Sequence, residues 1–240
     1  MTMHPHKPVT FGQTPLRIED VLALANRQAP TRLQDDAAFR ECIAKGARFL
    51  DSLLDKEGVI YGVTTGYGDS CVVAVPLEHV EALPRHLYTF HGCGLGKLLD
   101  AQATRAVLAA RLQSLCHGVS GVRVELLERL HAFIAHDVLP LIPEEGSVGA
   151  SGDLTPLSYV AATLSGEREV MFNGERRLAA AVKNCTVNGV RYLLVLRPMP
   201  IEKYRSGCAK CVAEKDRQLC LLLGDCSDAH NSVYVKAPNQ

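Results

Sequence analysis

The sequence predicts a mainly α protein over its first three quarters, and three observations carry that prediction. Apolar residues recur at helical spacing in several long stretches. Glycine clusters separate those stretches more than they interrupt them. A clear hairpin turn signal is found at Asn173-Gly174, late in the chain.

Taken in order, Arg17 to Arg27 (RIEDVLALANR) has apolar residues at helical spacing. Asp36 to Leu54 places Phe39, Ile43, Ala47 and Leu50 on one face. Glu57 to Gly68 is too rich in glycine for a helix and reads as a loop. Pro76 opens another helical stretch, Leu77 to Phe90, which runs into the glycines at 92, 94 and 96. Asp100 is a suitable N-cap for a long helix to Cys116. Val122 to Val138 is a further helix, and Pro140 and Pro143 then force an extended segment. A glycine-rich loop, Gly146 to Gly152, leads into a helix from about Pro156 to Ser165, with Asp153 or Thr155 as its cap. The Asn173-Gly174 turn follows, within Met171 to Arg177.

A chain of 240 residues can form one large domain or two small ones, and its 47% hydrophobic content suffices for a core. Net charge is zero, which gives no reason to expect nucleic acid or an acidic membrane as partner. No apolar run reaches membrane-spanning length. Met1 to Pro15 lacks the apolar stretch of a secretory signal, so a cytoplasmic location is expected. The nine cysteines then read as reduced thiols and not as a disulfide framework.

Composition changes after about Ala181. The expected division is therefore residues 1–181 and a Cys-rich tail, 182–240, without sustained helical patterning apart from runs such as Tyr192 to Leu196 and Leu219 to Leu223. Cys208, Cys211, Cys220 and Cys226 invite comparison with a zinc site, with His230 as a substitute ligand. Structural zinc sites usually show two close pairs, and the second pair here is too widely spaced. No metal site is expected, although a binding module built on the tail stays open as an alternative.

Three segments carry chemistry. The first is GSVGASGDLTPLSY, Gly146 to Tyr159, in which Ala150, Ser151 and Gly152 form a run of small residues inside a tight loop. An isolated Ala-Ser-Gly would be an ordinary connection before a helix. The second is YGVTTGYG, Tyr61 to Gly68. It lacks the Gly-Lys-Ser/Thr ending of a phosphate loop. The third is FHGCGLGK, Phe90 to Lys97, whose Gly-x-Gly-x-Gly spacing differs from the dinucleotide fingerprint. A lone histidine such as His91 is more often structural than catalytic.

Together these segments closely resemble the signature of the aromatic amino acid ammonia-lyases and aminomutases. GVSGVR (Gly118 to Arg123) and LPLIPE (Leu139 to Glu144) fall in the expected order between them, so the resemblance spans roughly residues 10 to 180. It implies the N-terminal region of the ammonia-lyase fold, with glycine-rich active-site loops and without most of the long central helical bundle. It implies further that Ala150-Ser151-Gly152 cyclises autocatalytically to 4-methylideneimidazole-5-one (MIO), with no external cofactor. The amide nitrogen of Gly152 attacks the Ala150 carbonyl, two waters leave, and Ser151 becomes the methylidene, with Asp153 assisting the dehydration. Holding nitrogen and carbonyl together makes the closure intramolecular. The product is an electrophile that no ordinary side chain provides.

By the same resemblance, Tyr61 is the base that removes the β-proton, on a glycine-rich lid that excludes water, with Gly68 beside the substrate. His91 helps to select the substrate ring. Histidine here is usual in enzymes acting on histidine or tyrosine, and histidine-specific relatives follow it with alanine. Gly92 in that place leaves room for tyrosine or another hydroxylated aromatic substrate. The implied substrate is an aromatic L-amino acid and the implied product a trans-α,β-unsaturated acid. Family members are longer than 240 residues and form homotetramers whose sites combine three subunits. Asn188-Gly189, Arg197 and Arg205 lack the context of the family's later substrate-binding residues. An inactive relative, or a partner of a full-length lyase, is therefore the alternative.

Overall fold

The computed structural model describes residues 7–56, 58–146, 151–182, 184–187, 190–196 and 232–236. Ala150, Asn188, Gly189, Arg197, Arg205, Cys208, Cys211, the run from Leu219 to Leu223, Cys226 and His230 lie outside the described residues. The chain forms two compact units, residues 1–160 and 161–240. The compositional change near residue 181 falls inside the second.

The first unit contains β1 (Val9–Phe11), α1 (Ile18–Ala25), β2 (Thr31–Leu33), α2 (Ala37–Asp55), a 3-10 turn (Gly68–Val72), α3 (Leu77–Val80), α4 (Leu83–His91), β3 (Leu95–Leu98), α5 (Ala101–Leu115), α6 (Val124–Ala135), β4 (Leu139–Pro140), β5 (Pro143–Glu145) and the start of α7 (Leu154–Leu164). Its core gathers around α5. Leu108, Ala109 and Leu112 of that helix are fully buried, and α5 packs against both α1 and α6. Leu127 and Leu130 of α6 are equally buried. Each such leucine contributes about 2 kcal/mol of burial. Asp100 caps α5 as its sequence predicts, its side chain accepting from the Ala103 amide at 2.7 Å. Asp36 caps α2 through the Phe39 amide at 3.0 Å. Phe39, Ile43 and Ala47 form the buried stripe that the helical spacing predicts, with Leu50 at its half-buried end.

Polar groups tie these helices together. The Arg105 guanidinium on α5 donates to both carboxylate oxygens of Asp137, at 2.6 and 3.1 Å, and to the Ala25 carbonyl at 2.7 Å. One cation thereby satisfies the end of α1 and the turn after α6. Strands β1 and β2 pair in parallel, Phe11 opposite Leu33, and the Gln113 amide on α5 donates to the carbonyls of Gly12 and Thr14.

Two local expectations change. Leu77 to Phe90, which reads as one helix, is divided into α3 and α4. Pro84 cannot supply an interior helical amide, and it sits in the first turn of α4, where none is needed. The glycine cluster after His91 carries a strand, β3, paired antiparallel with β5. The pairing partner is remote in sequence, so no local signal announces it.

In the second unit, β6 (Glu169–Phe172) and β7 (Glu175–Leu178) form the hairpin expected at Asn173-Gly174. Both turn residues have positive φ, 52° and 79°, the combination that Asn-Gly adopts readily. Strands β8 (Asn184–Val187), β9 (Val190–Leu196) and β10 (Ser232–Lys236) form an antiparallel sheet in the order β10-β9-β8. No described helix is long and apolar enough to cross a membrane.

Candidate active site

The Tyr61 loop is built by its own threonines. Thr64 Oγ1 accepts from the Ile60 amide at 2.8 Å and donates to the Gly58 carbonyl at 3.1 Å. Thr65 Oγ1 accepts from the Gly62 amide at 3.1 Å. Amide bonds from Gly66 to the Val73 carbonyl and from Val75 to the Thr64 carbonyl close the base of the loop. At its outer end Tyr61 is 64% exposed. Its phenolic oxygen accepts from the Gly68 amide at 2.8 Å, and its ring meets Tyr67 edge-on at 6.1 Å. Gly62 has φ +72°, and a Cβ there would lie 2.6 Å from the Tyr67 ring, so this position excludes other residues.

The two tyrosines are not equivalent. Burial pushes the Tyr67 phenol above the ordinary tyrosine value, and the nearby Tyr61 adds to the effect. Tyr67 therefore keeps its proton. The Gly68 amide points at the Tyr61 oxygen.

His91 is the last residue of α4, and its imidazole meets the Phe90 ring edge-on at 5.2 Å. The loop beyond it is clamped from two sides. A Cβ on Gly94 would lie 2.9 Å from Pro143, so the backbone there runs close against β5. On the other side, the Tyr159 hydroxyl donates to the Gly92 carbonyl at 3.2 Å and accepts from the Gly94 amide at 3.1 Å.

The Ala-Ser-Gly loop leaves β5 at Gly146 and enters α7 at Leu154. Its ends are held close, since a Cβ on Gly146 would lie 2.7 Å from Thr155 Cγ2, and Thr155 is buried. Asp153 occupies the capping position, its carbonyl accepting from the Leu157 amide at 3.0 Å. Ser151 Oγ donates to the Asp153 carboxylate at 2.5 Å. A Cβ on Gly152 would meet nothing within 4 Å. The serine hydroxyl thus contacts an acid, and Gly146 lies close against Thr155.

The structure thus joins Tyr61 to Gly68, joins Ser151 to Asp153, and ties the loop after His91 to the helix after Gly152. Among the described residues no hydrogen bond links Tyr61, His91 and Ser151 directly. Ala150 lies outside the described residues. Tyr159 belongs to the quoted motif, yet no role for it was read from the sequence. The available signal was its position one helical turn after Thr155, on the same face of α7. Among the described residues no cluster of His, Cys, Asp and Glu is placed to hold a metal ion.

A glycine-rich tyrosine loop, a histidine at a helix end and a serine-carboxylate contact just before α7 are the features that this part of the chain presents. The profile of the aromatic amino acid lyase family matches residues 16–187, and the chain belongs to that family. Histidine ammonia-lyase of Symbiobacterium thermophilum is 39% identical over 161 residues, 67% of this chain and 31% of that protein. Histidine ammonia-lyase of Alkaliphilus oremlandii is 35% identical over 71% of this chain and 33% of its own length. Among solved structures, tyrosine aminomutase of Streptomyces globisporus is 35% identical with a TM-score of 0.66, over 72% of this chain and 32% of that one. Histidine ammonia-lyase of Trypanosoma cruzi is 27% identical with a TM-score of 0.62, over 72% and 33%. The chain spans about a third of the length of these relatives. Its helices and glycine-rich loops are a partial version of their fold.

Proposed function

We propose that this chain provides the MIO-forming part of an ammonia-lyase that releases ammonia from an aromatic L-amino acid, histidine or tyrosine, to leave a trans-α,β-unsaturated acid. The observation that carries the reading is the 2.5 Å contact from Ser151 to Asp153 in a loop open around Gly152. In this reading Ala150, Ser151 and Gly152 form the ring, and Asp153 takes up the proton chemistry of dehydration. The ring, once formed, supplies an electrophile for the substrate amine. Tyr61, whose oxygen accepts from the Gly68 amide, is the base that removes the β-proton. Its loop closes over the substrate, and His91 offers a hydrogen bond to a polar substrate ring. Residues 1–181 are the family-like part and 182–240 the divergent tail. A cytoplasmic homotetramer is the expected setting.

Intact-mass measurement and ultraviolet assay test the reading together. A chain about 36 Da below its calculated mass has lost the two waters of ring closure. Absorbance rising with histidine or tyrosine then identifies the lyase. A chain at full mass with flat spectra for histidine, tyrosine and phenylalanine overturns it. The span of about a third of the relatives' length favours one second reading, an inactive association partner of a longer lyase. A ring-bearing chain that turns over only after mixing with such a lyase supports that second reading.

A further inference from the structure

We infer that Tyr159 is a positioning residue for substrate-ring selection, holding the backbone behind His91 in register with helix α7, which starts just beyond Gly152. The inference deepens the ammonia-lyase reading above and rests on it. Helix α4 ends at His91 with Gly92 as its C-cap, where helical backbone groups run out of internal partners. The Tyr159 oxygen serves two groups of this stretch at once, the Gly92 carbonyl at 3.2 Å and the Gly94 amide at 3.1 Å. These flank Cys93, so the peptide that follows the imidazole cannot turn without losing one of the bonds. Pro143 closes the opposite side against Gly94. The loop is gripped between a strand leading into the Ala-Ser-Gly turn and a helix leading out of it.

Helix α7 transmits the register. Thr155 and Tyr159 are four residues apart and share a face. Thr155 abuts Gly146 at the root of the turn, and Tyr159 holds the His91 loop. A shift at the start of α7 therefore draws on the backbone behind His91 as well. A phenylalanine at 159 would keep the ring and lose both bonds, which isolates the hydroxyl.

The test uses the full 240-residue chain, wild type and Tyr159→Phe, with three readouts. Hydrogen exchange follows the Gly94 amide, imidazole proton resonances follow His91 against the half-buried His131, and intact mass follows ring formation. The expected result is Gly94 exchange faster by roughly fivefold or more, the loss of one hydrogen bond. The His91 resonance moves, His131 does not, and the mass deficit of the wild type persists. With turnover, preference for histidine or tyrosine over phenylalanine falls roughly tenfold in kcat/KM, as expected for a misplaced ring contact. A folded variant with unchanged Gly94 exchange and His91 resonance overturns the inference. If Tyr159→Phe does not fold, the wild type decides. Gly94 exchanging at the free-peptide rate overturns the inference, and protection of that amide supports it. Full mass in the wild type defeats the ring-forming reading separately, because the Gly94 and His91 readouts do not depend on cyclisation.

Discussion

The Tyr61 hydroxyl accepts a hydrogen bond from the Gly68 amide, 2.8 Å away and seven residues along the same loop. The loop thus folds back on the group assigned to proton removal. Tyr61→Phe deletes the proton acceptor from an exposed position and leaves the core untouched. Turnover, read as ultraviolet absorbance, is expected to fall by about 10²-fold or more, the scale of a lost general base. The circular dichroism spectrum is expected to stay unchanged. Retained turnover would move the base elsewhere.

Ser151→Ala removes the oxygen that contacts Asp153. The variant is expected at its full calculated mass, and Asp153→Asn is expected to form the ring more slowly. Time-resolved intact mass of freshly expressed chain distinguishes the two.

Arg105 and Arg177 both pair with carboxylates, but only the Arg105 pair is largely sheltered, with side chains 11% and 22% exposed. Arg105→Ala also leaves the Ala25 carbonyl without its guanidinium partner. A loss of about 3 kcal/mol is expected, somewhat softened because Arg27 also reaches Asp137. Arg177→Ala is expected to cost under about 1 kcal/mol. Urea unfolding of the two variants measures the contrast.

His131 makes the fold acid-sensitive. Burial holds its imidazole below the ordinary value of 6.5, outweighing a hydrogen bond to the Thr31 backbone that acts in the opposite sense, and His136 adds to the lowering. Its Nε2 is buried without a hydrogen-bond partner among the described residues. Below pH 6.5 the unfolded chain takes up this proton before the folded one does. The contribution is complete above that pH and is lost as pH falls through the lower, folded value. Melting temperatures measured downward from neutral pH should decline in the wild type. A His131→Leu variant should decline less.

Cysteine labelling should follow exposure. Burial pushes the Cys116 thiol to about 11, whereas Cys71 and Cys93 are exposed. Iodoacetamide at neutral pH is expected to modify Cys71 and Cys93 well before Cys116, as peptide mass mapping would show.

The helices were legible because their information is local. Asp100 announces a cap, and the Phe39, Ile43, Ala47 stripe announces a buried face. The Asn173-Gly174 turn was legible for the same reason, since both residues tolerate positive φ. The pairing of β3 with β5 was not, because Leu95 and Glu145 are separated in sequence by two helices. The motifs pointed to Tyr61, His91 and Ser151 through resemblance. The double grip of Tyr159 on Gly92 and Gly94 needed coordinates, since nothing local marks a tyrosine as the partner of a backbone 65 residues away.

The short parallel pairing near the start has a practical side. Phe11 is wholly buried, and the Gln113 amide reaches the carbonyls of Gly12 and Thr14. Trimming recombinant versions to begin at the first helix would therefore open a hole beneath α5 and strand a buried amide. Purification tags belong ahead of Val9, and deletion series should spare everything from that residue onward.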